Sequence, residues 1–219
     1  EVAKSVISNE VRINLAIGAY TAANLQGIFA NKITITGDYS NKENVTINGN
    51  WDLDYLSCKS LEFSAFKIIG KLNGVNRAPV EARFYNIILN GDITLSETSL
   101  VVFCNCIIDS TTIYPIDLRN VGVADIESNT LTGNYSCIRL SSVANYYISH
   151  NDLNLSSKRA DIGAISIFDG SVGYATGTKG SLGIAPVFEV SASILFKSNN
   201  DATGAADIKE KGGQIYDAT

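Results

Sequence analysis

Methionine is absent from all 219 positions, position 1 included, so the chain reads as a fragment or trimmed product of a longer one. Charge is scarce: Asp, Glu, Lys and Arg make up 18%, against roughly 25% in an ordinary soluble protein. Uncharged polar side chains fill the gap, among them 21 asparagines. The longest basic run is Lys158-Arg159 and the net charge is −5, which excludes the cationic footprint that nucleic acid requires. No apolar run approaches the ~18 residues of a membrane span, so no membrane insertion is expected. The start Glu1-Val2-Ala3-Lys4 lacks the basic flank and apolar stretch of a secretory signal. Metal ligands are also few. His150 is the only histidine, and Cys58, Cys104, Cys106 and Cys137 match no zinc spacing. Neither metal nor cofactor is expected, and the cysteines read as free, mostly buried thiols.

What is present is alternation without helical period. Short runs such as Lys32-Ile33-Thr34-Ile35-Thr36 and Val45-Thr46-Ile47-Asn48 are punctuated by Gly, Asn, Asp or Ser, and only three prolines interrupt the chain. The runs recur. The alternating pairs Ile93/Leu95, Ile116/Leu118, Ile138/Leu140, Ile165/Ile167 and Phe188/Val190 are spaced by 23, 22, 27 and 23 residues. A second column, Val102, Ile126, Ile148, Val172 and Phe196, trails them, and Asn105, Asn129, Asn151 and Asn199 stand three residues beyond four of its members.

A period near 23 with two or three short strands per turn predicts a coil whose turns stack at the strand spacing of ~4.8 Å. Apolar alternates point inward, and Asn suits a corner because it tolerates left-handed backbone. The expected fold is all-β, a right-handed parallel β-helix over residues 1–200, followed by a polar tail or linker at 201–219. A leucine-rich repeat has a similar period, but its Leu signature is missing. Two insertions stand out, around Ser156–Asp161 and in the Gly-rich stretch 169–183, the latter read as a surface loop.

The tract Arg12-Ile-Asn-Leu-Ala-Ile-Gly-Ala-Tyr20, followed by Asn31-Lys-Ile-Thr-Ile-Thr-Gly-Asp38, resembles the opening coils of the pectate-lyase-like β-helix superfamily. The Ile-x-x-Asn-x-Leu strings at 126–131 and 148–153 are similar to its short repeat, and the resemblance spans about 190 residues. It implies the fold and leaves the activity open, since the superfamily holds lyases, hydrolases, esterases, epimerases, adhesins and phage tailspikes.

The register picks out candidate site residues. Thr94, Asp117, Arg139, Ser166 and Glu189 occupy the outward position between the paired apolars, so Asp117 and Arg139 are neighbours across turns. They form either a surface ion pair or part of a glycan-binding face. Asp125 and Glu127 flank Ile126, which places two carboxylates about 7 Å apart on one strand, the range of an inverting glycosidase pair. Tyr147 and Ser149 stand over them, and Tyr147 offers a ring for sugar stacking. Asp125 and Glu127 are thus the catalytic candidates and Asp117, Arg139 and Tyr147 the substrate-binding ones. Asp and Glu on solvated strands are common, so plain surface is the simpler reading of both carboxylate groups. Trp51, Tyr55, Tyr146 and Tyr174 add a softer aromatic signal, and His150 reads as structural at a turn.

Two functions fit. One is a phage tailspike or tail-fibre segment in the virion tail, recognising and in some cases depolymerising bacterial surface polysaccharide. The other is a secreted or cell-surface bacterial polysaccharide lyase or hydrolase; a purely structural adhesin is a third. Exposed strand edges at the terminal coils predict a homotrimer.

Overall fold

The computed structural model describes residues 6–22, 25, 28–56, 58–75 and 79–217. It is a parallel β-solenoid, with no α-helix among the described residues and a single 3-10 turn at Lys42–Asn44. Each coil lays down one strand on each of three faces. The long face has ten strands, the second face seven and the third face eight, and every pairing in them is parallel. One coil illustrates the path: Leu100–Cys104 on the long face, Ile107–Asp109 on the second and Ile116–Arg119 on the third. The next begins at Val123, opposite Leu100.

The apolar pairs of the third face stack as the spacing requires: Ile93, Ile116, Ile138, Ile165 and Phe188 form one continuous column. The long-face column differs from expectation at three places. Its true members are Phe103, Ile126, Ile148, Ala175 and Lys197, preceded by Phe84 and Phe63. Val102 and Phe196 are each one residue away and face outward, and Val172 lies three residues before Ala175. Strand side chains alternate with period two, so a one-residue slip exchanges core for surface. Phe63, Phe84 and Phe103 are fully buried and pack ring on ring, at centroid separations of 5.7 and 4.8 Å.

The asparagine corner divides into two columns. Asn105, Ser128, His150 and Asn199 hold left-handed backbone (φ 57°, 57°, 55° and 48°), with Gly177 between the last two. A Cβ on Gly177 would meet the His150 ring at 2.8 Å. One position further on, Asn129 and Asn151 are buried and form an internal ladder. The Asn129 side-chain amide donates to Asn151 Oδ1 at 3.0 Å, and Asn129 Oδ1 accepts from the Cys106 N–H at 2.8 Å. Asn105 therefore does not align with Asn129 and Asn151. It belongs to the turn column, where the backbone must reverse.

Two segments expected to be irregular are strands. The Gly-rich stretch contains Val172–Thr176 on the long face, where Gly173 leaves room for the buried Tyr146 ring, and Ser181–Pro186. The polar segment after Asn200 is not a free tail: Ile208–Glu210 and Gln214–Asp217 each add a strand to the stack. Lys197 ends the long-face core column there, paired with Asp207 at 2.7 Å and Asp217 at 3.6 Å. Cys58, Cys106 and Cys137 are buried and Cys104 is half-buried; all four are free. Burial pushes the Cys58 thiol up to about 11 and the Cys106 and Cys137 thiols up to about 12.

Candidate functional site

The five sequence candidates fall on two faces. Asp117 and Arg139 are register partners on the third face, and Asp125, Glu127 and Tyr147 are neighbours on the long face. The corner at 120–122 separates the two groups.

On the third face, Asp117 is outward in register but buried. Its carboxylate accepts both Nε (3.2 Å) and Nη2 (2.5 Å) of Arg119, two residues along the same strand, and Arg139 Nη1 stands 3.9 Å away. Arg139 lies over Tyr114 and Phe168, its guanidinium carbon 5.3 and 5.8 Å from the ring centroids. Further up, Ser166 donates to Glu189 Oε2 at 3.0 Å, and the same oxygen accepts the Gly163 N–H. Residues of the lengthened corners, Tyr114 and Gly163, thus lie against this face and cover what strand alternation alone would leave open.

On the long face, Tyr147 is aligned with Asp125, and Ser149 with Glu127, as the spacing predicts. Burial, and then the neighbouring Glu127 charge, holds the Asp125 carboxyl above its ordinary range. Neither carboxylate has an ion-pair partner among the described residues. Tyr147 is the first of four outward rings, followed by Tyr174, Phe196 and Tyr216 at centroid separations of 6.0, 5.1 and 5.3 Å and near-parallel planes. These rings stack on one another, so their faces are mutually covered and their edges face solvent. That leaves Tyr147 only its Asp125-side face for a sugar. Of the remaining aromatics, Trp51 packs against Phe63 and Tyr146 donates its hydroxyl to the Ile194 carbonyl. Both are core; Tyr55 is exposed. His150 is exposed at its turn.

A third location lies where the second face turns into the third. Three successive coils turn this corner with two residues: Gly49-Asn50, Gly70-Lys71 and Gly91-Asp92, spaced by 21 residues. The glycines permit the close stacking, since a Cβ on Gly91 would sit 1.9 Å from the Gly70 carbonyl oxygen and one on Gly70 2.3 Å from that of Gly49. The next coil widens the corner to Ser110–Pro115. The step between narrow and wide corners forms two hollows of about 470 and 420 Å³ that share Asp92, Thr111 and Thr112. Asn50, Lys71, Asn90, Asp109 and Ser110 line the first; Thr94, Tyr114 and Asp117 line the second. Lys71 Nζ pairs with Asp92 at 3.3 Å across one coil step. The groove crosses four successive coils, about 14 Å along the solenoid axis at ~4.8 Å per step. The sequence signal that would have found it is the Gly-x recurrence at 49, 70 and 91, broken by a longer interval before Ile116.

The fold defines the chain as a parallel β-solenoid with a polar groove at one corner and an apolar strip on another face. Compared with protein-family models, curated proteins and solved structures, the chain matches none of them.

Proposed function

We propose that this solenoid recognises a linear polysaccharide, in the manner of a phage tailspike of pectate-lyase-like architecture acting on bacterial surface glycan. The groove at the Asn50–Lys71–Asp92 corner carries the proposal. Its lining presents hydroxyl, amide and carboxylate groups, the donors and acceptors that orient sugar hydroxyls. It runs along the axis, across coils, so a polymer chain can lie in it over several units. Asp117, already among the sequence candidates, lines its far end, and Arg139 lies under the Tyr114 ring that borders it.

The test is retention on a panel of bacterial capsules and O-antigens, with reducing-end release measured in parallel. The parent is expected to retain at least one glycan, and Lys71→Ala with Asp109→Asn to lose it. Retention of no glycan, or unchanged retention by the double variant, overturns the reading. Cleavage is a second reading, carried by the unpaired Asp125 and Glu127 carboxylates with the Asp125 proton held more tightly than usual. Loss of release in Asp125→Asn with Glu127→Gln, without loss of retention, would support it.

A further inference from the structure

Arg139 is the least satisfied charge on the third face. Among the described residues its guanidinium donates no hydrogen bond, and its Nε is buried without a partner. The carboxylate beside it is already taken. Asp117 accepts Nε and Nη2 of Arg119, and Arg139 Nη1 stands 3.9 Å from the same Oδ2. Two guanidinium groups thus converge on one carboxylate, which leaves a positive charge in excess. The next carboxylate up the column, Glu189, is two coils away and is held by Ser166 Oγ and the Gly163 N–H. Tyr114 and Phe168 fix the position of the Arg139 guanidinium, their ring centroids 5.3 and 5.8 Å from its carbon. A ring face attracts a cation but offers no lone pair to the donors in the guanidinium plane. The group is therefore held in place, about one-third exposed, with its donors unmatched.

We propose that Arg139 is an oxyanion site, and that the polysaccharide is one whose repeat carries a carboxylate or phosphate among uncharged sugars. The site stands on the geometry just given, and its assignment to a glycan rests on the polysaccharide reading above. A planar fork of N–H donors matches two oxygens of either group. Asp117 and Tyr114, which flank Arg139, also line the second hollow of the groove, so an anion on Arg139 lies beside a chain seated there. The first hollow has the opposite preference. Its Lys71 is paired with Asp92, whereas Asp109 has no ion-pair partner among the described residues and repels an acid. A polymer acidic at every unit would meet that charge, so the anion belongs to some units of the chain and not to all.

Two measurements test this. In the retention panel, every glycan held should carry carboxylate or phosphate on part of its repeat. Reduction of the carboxyl groups, or removal of the phosphate, should release it, and which treatment does so identifies the anion. The second measurement needs no polymer: the nitrogen-15-labelled protein is titrated with glucuronate and with inorganic phosphate, with glucose as the neutral control. A saturable shift of the Arg139 Nε–H and of the Phe168 amide is expected with at least one anion and not with glucose. Arg139→Gln, checked for its β signature by circular dichroism, should weaken that binding about tenfold or more at the Phe168 amide. Asp117→Asn keeps the shape and removes the competing carboxylate, so it should tighten anion binding severalfold, a gain that a merely structural arginine does not give. Retention of no glycan overturns the polysaccharide reading, and the titration still decides the anion site. The inference is overturned by the absence of a saturable shift with either anion, by equal retention of uncharged glycans, or by weaker anion binding in Asp117→Asn.

Discussion

Asn151 accepts through one oxygen, Oδ1, from both the backbone N–H and the side-chain amide of Asn129, each at 3.0 Å, while its own amide donates to the Ile126 carbonyl at 2.8 Å. Each asparagine thus satisfies groups of the coil before it at a corner with no water access. Asn200 does the same two coils further on, accepting from the Thr178 N–H and donating to the Ala175 carbonyl. Thr178 occupies the intervening rung, and its buried hydroxyl has no partner.

Removal of Asn151 should therefore cost more than one ordinary hydrogen bond. Asn151→Ala leaves two donors and a carbonyl unpaired in a buried site, and a loss of about 2–4 kcal/mol in unfolding free energy is expected. The converse substitution, Thr178→Asn, should continue the ladder and gain about 0.5–1.5 kcal/mol. Urea denaturation of both variants checks the pair, and a neutral Asn151→Ala would show that the ladder contributes nothing net.

Asp125 gives a pH-dependent prediction. Its carboxyl in the folded chain is held above the ordinary value by burial and by Glu127. A raised folded value means that stability is fully present below the unfolded value, about 3.9, and is lost as pH rises through the folded one. Asp125→Asn should therefore raise the melting temperature at pH 7, and the gain should vanish below about pH 4. A melting temperature lowered at pH 7 would count against it.

The stacked core rings offer a packing test. Phe103 is fully buried between Phe84 and Ile126. Phe103→Ala should cost about 3–5 kcal/mol, against below about 1.5 kcal/mol for Phe103→Leu. Thermal unfolding followed by circular dichroism separates the two. Val102→Ala, one residue away and facing outward, should change stability by no more than about 0.5 kcal/mol.

Much of the fold was legible in the sequence because a stacked column imposes the same constraint at every turn. Ile93, Ile116, Ile138 and Ile165 repeat one environment, and repetition exposes the period. The long-face register was harder to read at Val102-Phe103 and at Leu195-Phe196, where two adjacent apolar residues occupy opposite sides and size does not reveal which is buried. The two asparagine columns were merged for a related reason. Asn serves a left-handed turn at 105 and an internal amide ladder at 129 and 151, and the letter alone does not separate those roles. For the candidate site, strand alternation placed Tyr147 over Asp125 and Arg139 beside Asp117. It was silent on how the Ser110–Pro115 corner folds, and that corner both borders the groove and brings Tyr114 over Arg139.

Because each coil contacts chiefly the coils before and after it, the columns set a unit of change for this chain. Val123 and Asn145 occupy the same position one coil apart, so excising 123–144 joins two strands in unchanged register and brings each column's outer neighbours into contact. Loss of a single residue within Val123–Glu127 instead turns the rest of that strand inside out. Length variation in such a protein is quantised: gain or loss of a whole coil lengthens or shortens the stack in unchanged register, while small insertions are confined to corners such as 110–115 and 156–164.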